Sequence, residues 1–252
     1  MYDIMSILRA VVTARSVEQV WSIHTQAMSR FGFDRIMFGY TRFKTQTGFG
    51  DREDLMVLTN FPEHYTRWFI DQGMFAHAPM MQWAAENTGS MSWSWIGRNL
   101  HVLSKKGFEV IDYNQKNDVT CGYTVSFPET MARHKAAIAL AGNKGMSQTD
   151  VDMIWDAAGP DIELLNQVVH LKLVSLPFEG RNRRLTKRQR EVLEWVGDGK
   201  TTIDIATILD VTPAAIEKHM RLARETLGVE TTAQAVLKAS VQNQIFRLDQ
   251  EI

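Results

Sequence analysis

The densest group of charged side chains lies at residues 181–190, which read RNRRLTKRQR. This stretch holds six lysines and arginines and no acidic residue, although the net charge of the whole chain is only -1. Cationic side chains concentrated in this way can neutralise phosphates, so their chemistry would be binding to a polyanion. A solvated linker has the same composition, and the interpretation therefore depends on the residues that follow.

Those following residues predict a series of short helices. Thr186 can cap a helix that continues through Val196 and stops at Gly199. Thr201 or Thr202 can start a second helix with an apolar face. Short helices directly after a basic run suit a small helical domain that binds nucleic acid.

The third helix of the series has the strongest start signal, because Thr212 is a good N-cap and Pro213 fits the first helical position. Apolar residues then recur at helical spacing and define a buried face: Ile216, Met220, Ala223 and Leu227. The residues left toward solvent are Ala214, Glu217, Lys218, Arg221 and Arg224. Such a face fits the major groove of DNA, with Lys218 and Arg221 as the best base or phosphate contacts. Any exposed amphipathic helix in a small bundle would show the same pattern.

Taken together, Leu185 to Val229 closely resembles the LuxR-type helix-turn-helix. The matching positions are Leu185, Thr186, Arg188, Glu191, Val192, Leu193, Trp195, Gly199, Lys200, Ile205, Ala206, Leu209, Val211, Ile216, His219, Leu227, Val229 and Ala235-Val236. The resemblance implies double-stranded DNA as a partner. The candidate DNA-binding residues are Lys187, Arg188, Lys200, Thr212, Ala214, Glu217, Lys218, Arg221 and Arg224.

Four positions depart from that family pattern. The family usually has Glu at the position of Gln189 and Arg at that of Thr232, and often Thr and Lys at those of Ala215 and Glu217. Gln189 can still form hydrogen bonds, whereas Thr232 cannot bind a phosphate as arginine would and Glu217 would repel one. We therefore expect DNA affinity or base preference to differ from the family norm.

The N-terminal part of the chain mixes two periodicities. Aromatic and β-branched runs predict strands at 35–43 and 123–127, and the apolar run at 136–141, closed by Gly142-Asn143, suggests a third. Helical patterns cover 16–31, 105–117 and 148–173, the last with a kink or break expected at Gly159-Pro160. The predicted fold class is α+β: an N-terminal sheet with helices on its faces, joined to a small all-α helix-turn-helix domain.

Pro and Gly residues at 176–180 mark the boundary between the two domains. We expect a ligand and dimerisation domain at 1–175, a linker at 176–184 and a DNA-binding domain at 185–252. The first residues predict an amphipathic helix, and Arg9 interrupts what would otherwise be the apolar region of a signal peptide. No apolar stretch reaches membrane-spanning length. These features predict a cytoplasmic protein without a membrane partner.

The N-terminal half resembles the quorum-sensing receptors for acyl-homoserine lactones. Asn60-Phe61-Pro62, Tyr65, Phe69 and Ala78-Pro79 have the family spacing, Trp93 fits a later tryptophan, and residues 122–125 (GYTV) resemble a family strand. The resemblance implies a small-molecule signal as the ligand. The candidate ligand-binding residues are Tyr40, Tyr65, Phe69, Ala78, Trp93, Gly122 and Thr124. Several aromatic residues of this region either line a pocket or form the core: Tyr65, Trp68, Phe69, Phe75 and Trp83.

Ala78 is the important departure in this half, because the family has an aspartate there that accepts a hydrogen bond from the ligand amide. Losing such a bond costs about 1.5 to 3 kcal/mol, roughly 10- to 150-fold in affinity. About eight buried methylenes would gain about 6 kcal/mol, which is enough to sustain binding. An acyl-homoserine lactone or a similar apolar signal therefore stays the leading ligand. The alternative is an orphan LuxR-type regulator with another ligand or none.

Other chemistries find little support in the sequence. The single cysteine, Cys121, excludes an internal disulfide, and the seven histidines show no metal-site spacing. An enzyme with an accessory DNA-binding tail is a third hypothesis, but no phosphate loop, nucleophile elbow or paired catalytic motif occurs. We therefore expect no enzyme activity, no metal and no cofactor.

One helix-turn-helix reads only half of a DNA site, so we expect a homodimer. Dimer contacts would come from 148–173 and from a last helix over 232–246. RNA polymerase is a further candidate partner.

Overall fold

The structure, a computed structural model, describes residues 3–45, 49, 52–177 and 184–246. Contacts divide the chain into two compact units, Met1–Leu173 and Val174–Ile252. Most of the predicted linker falls at 178–183, outside the described residues, as do Arg181 and Arg183 of the basic run. Among the helices of the described residues, none is long and apolar enough to cross a membrane.

The first unit is built on a five-stranded antiparallel sheet. Its strands are β1 (Phe33–Thr41), β2 (Met56–Thr59), β3 (Gly89–Ser92), β4 (Gly122–Ser126) and β5 (Lys135–Gly142). They lie in the order β2-β1-β5-β4-β3, with Met37 opposite both Thr59 and Ala139, and Ala139 opposite Thr124. Alternate residues of each strand point to opposite faces, so the two faces of the sheet carry different layers.

One face is covered by helices. The helices on this side of the sheet are α1 (Ile4–Thr13), α2 (Val17–Arg30) and α7 (Gln148–Ser175). Trp155 of α7 stacks on Tyr123 with ring centroids 3.9 Å apart, and His170 of α7 stacks on Phe127 at 4.4 Å. Burial of these rings and of the aliphatic residues between them fixes α7 across the sheet.

The opposite face is bordered by short segments. These are α3 (Glu63–Thr66), continued by a wide turn over Arg67–Asp71, then α4 (Pro79–Glu86), α5 (Ser94–Arg98) and α6 (Lys105–Lys116). Short elements joined by turns cannot cover a sheet as closely as one long helix. The space that they leave is the cavity described below.

Within its described residues, the second unit contains four complete helices: α8 (Lys187–Gly197), α9 (Thr202–Ile208), α10 (Pro213–Leu227) and α11 (Thr232–Val241). The predicted caps of the first three are confirmed, with Thr186, Thr201 and Thr212 as N-caps. The predicted buried face of α10 is also confirmed, because Ile216, Met220, Ala223 and Leu227 are all buried. Two apolar clusters hold the four helices together, one including Ile216 and Met220 of α10 and the other Ala223 and Leu227.

The expected break at Gly159-Pro160 and the expected end of the last helix are both wrong. α7 is not broken at Gly159-Pro160 but continues to Ser175. Gly159 has no Cβ to clash with the proline ring, and a Cβ there would lie 2.9 Å from Trp155. The last helix ends at Val241 rather than at 246, because Asn243 is left-handed and the Gln244 N–H bonds back to the Ala239 carbonyl at 2.9 Å.

Candidate functional site

A cavity of about 410 Å³ lies against the sheet face opposite α7. Its floor consists of β-strand residues with small or flexible side chains: Met37, Gly39, Thr124, Ala137 and Ala139. Met37, Ala139 and Thr124 form one row across the sheet, and Gly39 and Ala137 belong to the next. A Cβ built on Gly39 has no heavy atom within 4 Å. The small size of Gly39, Ala137 and Ala139 leaves room above the sheet.

Aromatic side chains form one wall of the cavity. Phe61, Tyr65 and Phe69 stack in sequence, with centroid distances of 4.7 and 5.5 Å. All three line the cavity, and Phe75 lines it as well. Trp68 instead stacks on Tyr113 at 3.9 Å, and Trp83 belongs to a separate apolar cluster. The aromatic residues of this region therefore divide between pocket wall and core.

Ala78 lines the cavity at the start of α4, where it is the N-cap residue. Its methyl group cannot cap the helix, so no side chain satisfies the first N–H groups of α4. Trp93 also lines the cavity, and its indole N–H donates to the Thr124 hydroxyl at 2.9 Å. The indole donor thus has a partner within the protein.

Few polar groups reach the cavity. The Tyr65 hydroxyl donates to Oδ1 of Asn114 at 2.8 Å, and burial raises the pKa of Tyr65, so the phenol keeps its proton. Lys135 is the one cationic lining residue that the structure describes; burial and the nearby Lys44 lower its pKa. No described lining residue is an Asp or a Glu. The cavity consequently suits a neutral, largely apolar molecule of the size that ligand pockets usually take.

The second candidate site is the outer face of α10. Ala214, Glu217, Lys218 and Arg221 are exposed and lie three or four residues apart, which places them on one side of the helix. The Thr212 hydroxyl accepts from the Ala215 N–H at 3.2 Å and fixes where the helix begins. The Ala214 N–H and the small side chains of Ala214 and Ala215 allow close approach of a phosphate at this end of the helix.

Polar contacts around α10 differ from residue to residue. Arg221 forms an ion pair with Glu225 at 2.6 Å, and Arg188 of α8 pairs with Glu191 at 3.0 Å. Arg224 is only half-exposed and donates to the Thr232 hydroxyl at 2.8 Å. The expectation that Arg224 points freely to solvent is therefore wrong, because Thr232 holds it against α11.

Gln189 has a structural role at the start of α8. Its Oε1 accepts from the Thr186 N–H at 2.8 Å, while the Thr186 hydroxyl accepts from the Gln189 N–H. The two residues form a complete capping box at the start of α8.

Comparison with known families gives one match in each of the two regions that hold the candidate sites. Residues 16–173 match the autoinducer binding domain, and residues 183–239 match the bacterial regulatory proteins of the luxR family. The first match alone covers more than half of the chain. The chain belongs to the LuxR family of DNA-binding transcription regulators. It carries an autoinducer-binding domain followed by the helix-turn-helix, and the orphan alternative is not favoured.

Characterised relatives of this LuxR-type regulator are distant. The transcriptional activator protein LuxR of Aliivibrio fischeri is 23% identical over 190 residues, which cover 75% of this chain and 74% of that protein. The transcriptional activator protein AnoR of Acinetobacter nosocomialis is 21% identical over 244 residues, covering 92% and 94%. The quorum sensing-dependent regulator RpaR of Rhodopseudomonas palustris is 34% identical, but over 106 residues and 41% of each chain.

Solved structures share the fold of the regulator at low identity. The N-acylhomoserine lactone dependent factor CepR2 of Burkholderia cenocepacia has a TM-score of 0.52 at 15% identity and covers 69% of this chain and 98% of its own. SdiA in complex with octanoyl-rac-glycerol has a TM-score of 0.51 at 14% identity, covering 96% and 97%.

The structure brings six of the seven predicted ligand-binding residues of the regulator to one cavity: Tyr40, Tyr65, Phe69, Ala78, Trp93 and Thr124. Gly122 is not among the lining residues; it lies beneath Trp93, whose ring would be 3.0 Å from a Cβ at this position. Gly122 thus positions Trp93 rather than forming the wall.

Tyr40 borders the cavity, but its ring lies on the other face of the sheet. Its centroid is 5.9 Å from His170 of α7, and its hydroxyl is hydrogen-bonded to Nδ1 of His134 at 2.9 Å. Because neighbouring strand residues alternate, Gly39 and Thr41 face the cavity instead. The family resemblance predicts an aromatic ligand-binding residue at position 40, whereas the neighbouring residue that faces the cavity is Gly39.

The predicted DNA-binding residues of the regulator fall into two groups. Exposed side chains are those of Lys187, Lys200, Thr212, Ala214, Glu217, Lys218 and Arg221. Arg188 and Arg224 are half-buried. Their roles toward DNA stay predictions.

Sequence reasoning missed the small residues of the cavity floor and the Tyr65 partner Asn114. The signal that could have found the floor is the alternation of Ala137, Ala139 and Ala141 along one strand, which leaves one sheet face without bulk. Asn114 lies on α6, 49 residues from Tyr65, and no local pattern connects the two.

Proposed function

We propose that this regulator binds an acyl-homoserine lactone or a similar apolar signal in the cavity, and that the resulting homodimer binds double-stranded DNA through α10. The observation that supports this proposal best is the apolar cavity within the matched autoinducer-binding domain. Small residues form its floor, and stacked aromatic rings form one wall.

An acyl chain fits the energetic requirements of this cavity. Burial of about eight methylenes contributes about 6 kcal/mol, which exceeds the 1.5 to 3 kcal/mol or so that the missing aspartate at Ala78 forfeits. The lining offers no described carboxylate, so a ligand amide donor finds no charged acceptor. Shape and apolar contact therefore dominate affinity, and chain length should matter more than the head group.

The homodimer is supported by apolar side chains left exposed on the two elements expected to pair. On α7, Met153 is 59% exposed and Leu171 is 64% exposed. On and after α11, Leu237 is 66% exposed and Phe246 is 58% exposed. Met153 and Leu171 lie on one side of α7 because their spacing is a whole number of helical turns, and an apolar helix face left exposed is typical of a surface that another chain covers. RNA polymerase stays a candidate partner.

DNA binding would use α10 as the recognition helix, with Lys218 and Arg221 on the groove-facing side and Lys187 and Lys200 near phosphates. Ligand would act by favouring the arrangement of the dimer that fits both halves of a DNA site. We place this activity in the cytoplasm, where bacterial DNA is.

The first test is the thermal midpoint of the full chain with acyl-homoserine lactones of four to twelve or so acyl carbons. A ligand at about 100 times its Kd adds roughly 2.7 kcal/mol of stability. We expect the midpoint to rise with a clear optimum of chain length. A folded, DNA-binding chain whose midpoint stays constant across the series would contradict this ligand class.

A further inference from the structure

Glu217 is a carboxylate in the middle of the surface that is proposed to face DNA. It is exposed, next to Lys218, and it lies three residues from Ala214 and four residues from Arg221 on one side of α10. A negative charge on this surface is unfavourable against phosphates. Its presence there requires either that the side chain avoid the DNA or that it contact a base.

The structure gives the Glu217 carboxylate a hydrogen-bond partner on α9. Its Oε1 accepts a hydrogen bond from the Thr202 hydroxyl, 3.0 Å away, at the first residue of α9. Among the described residues, no lysine or arginine nitrogen forms an ion pair with it, whereas Arg221 is paired with Glu225. One carboxylate oxygen is therefore hydrogen-bonded to α9, and the carboxylate can accept a further hydrogen bond from another donor.

The major groove restricts what such an acceptor can bind. Cytosine presents only its N4 amine there, whereas adenine places the acceptor N7 next to its N6 amine. Guanine and thymine present acceptor oxygens, which repel a carboxylate. Cytosine is thus the base that a glutamate at this position accommodates best.

We propose that Glu217 is a specificity-determining residue that accepts a hydrogen bond from the N4 amine of a cytosine in each half of the DNA site. Thr202 acts as a positioning residue that holds the carboxylate toward the base. This assignment rests on the proposed role of α10 as the recognition helix, and the remaining cations of the surface supply affinity.

The test is selection of bound DNA from a random double-stranded pool by the full chain, followed by sequencing. The wild type should enrich a G·C pair at one fixed position of each half-site. Glu217→Gln should change the preferred base on that strand from cytosine to adenine, because a glutamine amide pairs with both N6 and N7. Glu217→Ala should lose the preference at that position by about 5-fold or more while the other positions keep theirs.

Two further variants separate base reading from charge. Glu230→Gln removes an exposed acid of the same unit outside α10 and should leave every base preference unchanged. Thr202→Val should weaken the cytosine preference alone. The proposal is overturned if Glu217→Ala selects the same sequence as the wild type, or merely binds all sequences more tightly. A wild-type chain that enriches no sequence would overturn DNA recognition by α10 as well, which distinguishes the two failures.

Discussion

Restoring a carboxylate at residue 78 should change which ligands the cavity prefers. Ala78 is only 6% exposed, lines the cavity and occupies the N-cap of α4, where no side chain caps the helix. In Ala78→Asp, the new carboxylate would accept a hydrogen bond from a ligand amide. Such a charge-assisted bond is worth about 1.5 to 3 kcal/mol, or roughly 10- to 150-fold in affinity. The helix N-terminus offsets part of the cost of burying the charge.

The assay compares two ligands with the same eight-carbon chain. N-octanoyl-homoserine lactone has an amide N–H, whereas octanoylglycerol has an ester and no such donor. Dissociation constants are taken from thermal midpoints measured across ligand concentrations. Ala78→Asp should tighten binding of the amide ligand by at least about 10-fold and leave the ester unchanged or weaker. Ala78→Asn, a neutral acceptor of the same shape, should give a smaller gain.

Equal effects on the two ligands would refute this reasoning. They would mean that residue 78 acts through helix stability or cavity shape and not through the ligand amide. A loss of folding in Ala78→Asp alone would be recognised by comparison with Ala78→Asn, which introduces no charge.

Three further outcomes are expected. Gly39→Ile should fold but lose ligand stabilisation, because its side chain would enter the open space above the sheet; an undiminished thermal shift would contradict the cavity assignment. Burial lowers the pKa of His24 to about 4, so this group's contribution to stability is complete above pH 6.5 and is lost as the pH falls toward 4. Urea unfolding should show about 2 kcal/mol less stability at pH 5 than at pH 8 from His24, and His24→Gln should remove that part of the loss. Thr212→Ala should cost about 1 kcal/mol by uncapping α10, whereas Thr212→Ser should not; equal stability of both variants would exclude a capping role.

Much of the fold follows from local sequence signals. The caps at Thr186, Thr201 and Thr212 were predictable because a side-chain oxygen followed by a helical run has a local physical cause. Two of the three longer strands were predictable from aromatic and β-branched runs, and β5 from an apolar run that Gly142-Asn143 closes. β2 and β3 have four residues each, too few to show a period, and they are strands because longer neighbours supply their hydrogen bonds.

The errors arose where tertiary contacts decide. Pro160 does not break α7, because Gly159 relieves the clash and buried residues on both sides hold the helix on the sheet. Tyr40 borders the cavity as predicted, but strand register directs its ring to His170 and leaves Gly39 facing inward. A shift of one residue along a strand exchanges the two faces, and sequence resemblance at low identity does not fix it.

The central claim is that this LuxR-type regulator binds DNA with the exposed face of α10 and responds to a ligand in the cavity. Fluorescence anisotropy of the full chain on its selected DNA, with and without N-octanoyl-homoserine lactone, tests both parts. The account predicts that ligand changes the DNA affinity of the wild type, that Lys218→Ala with Arg221→Ala weakens binding by roughly 10-fold or more with or without ligand, and that Gly39→Ile abolishes only the ligand effect. DNA affinity that is unchanged by the double substitution, or a ligand effect that survives Gly39→Ile, would contradict it.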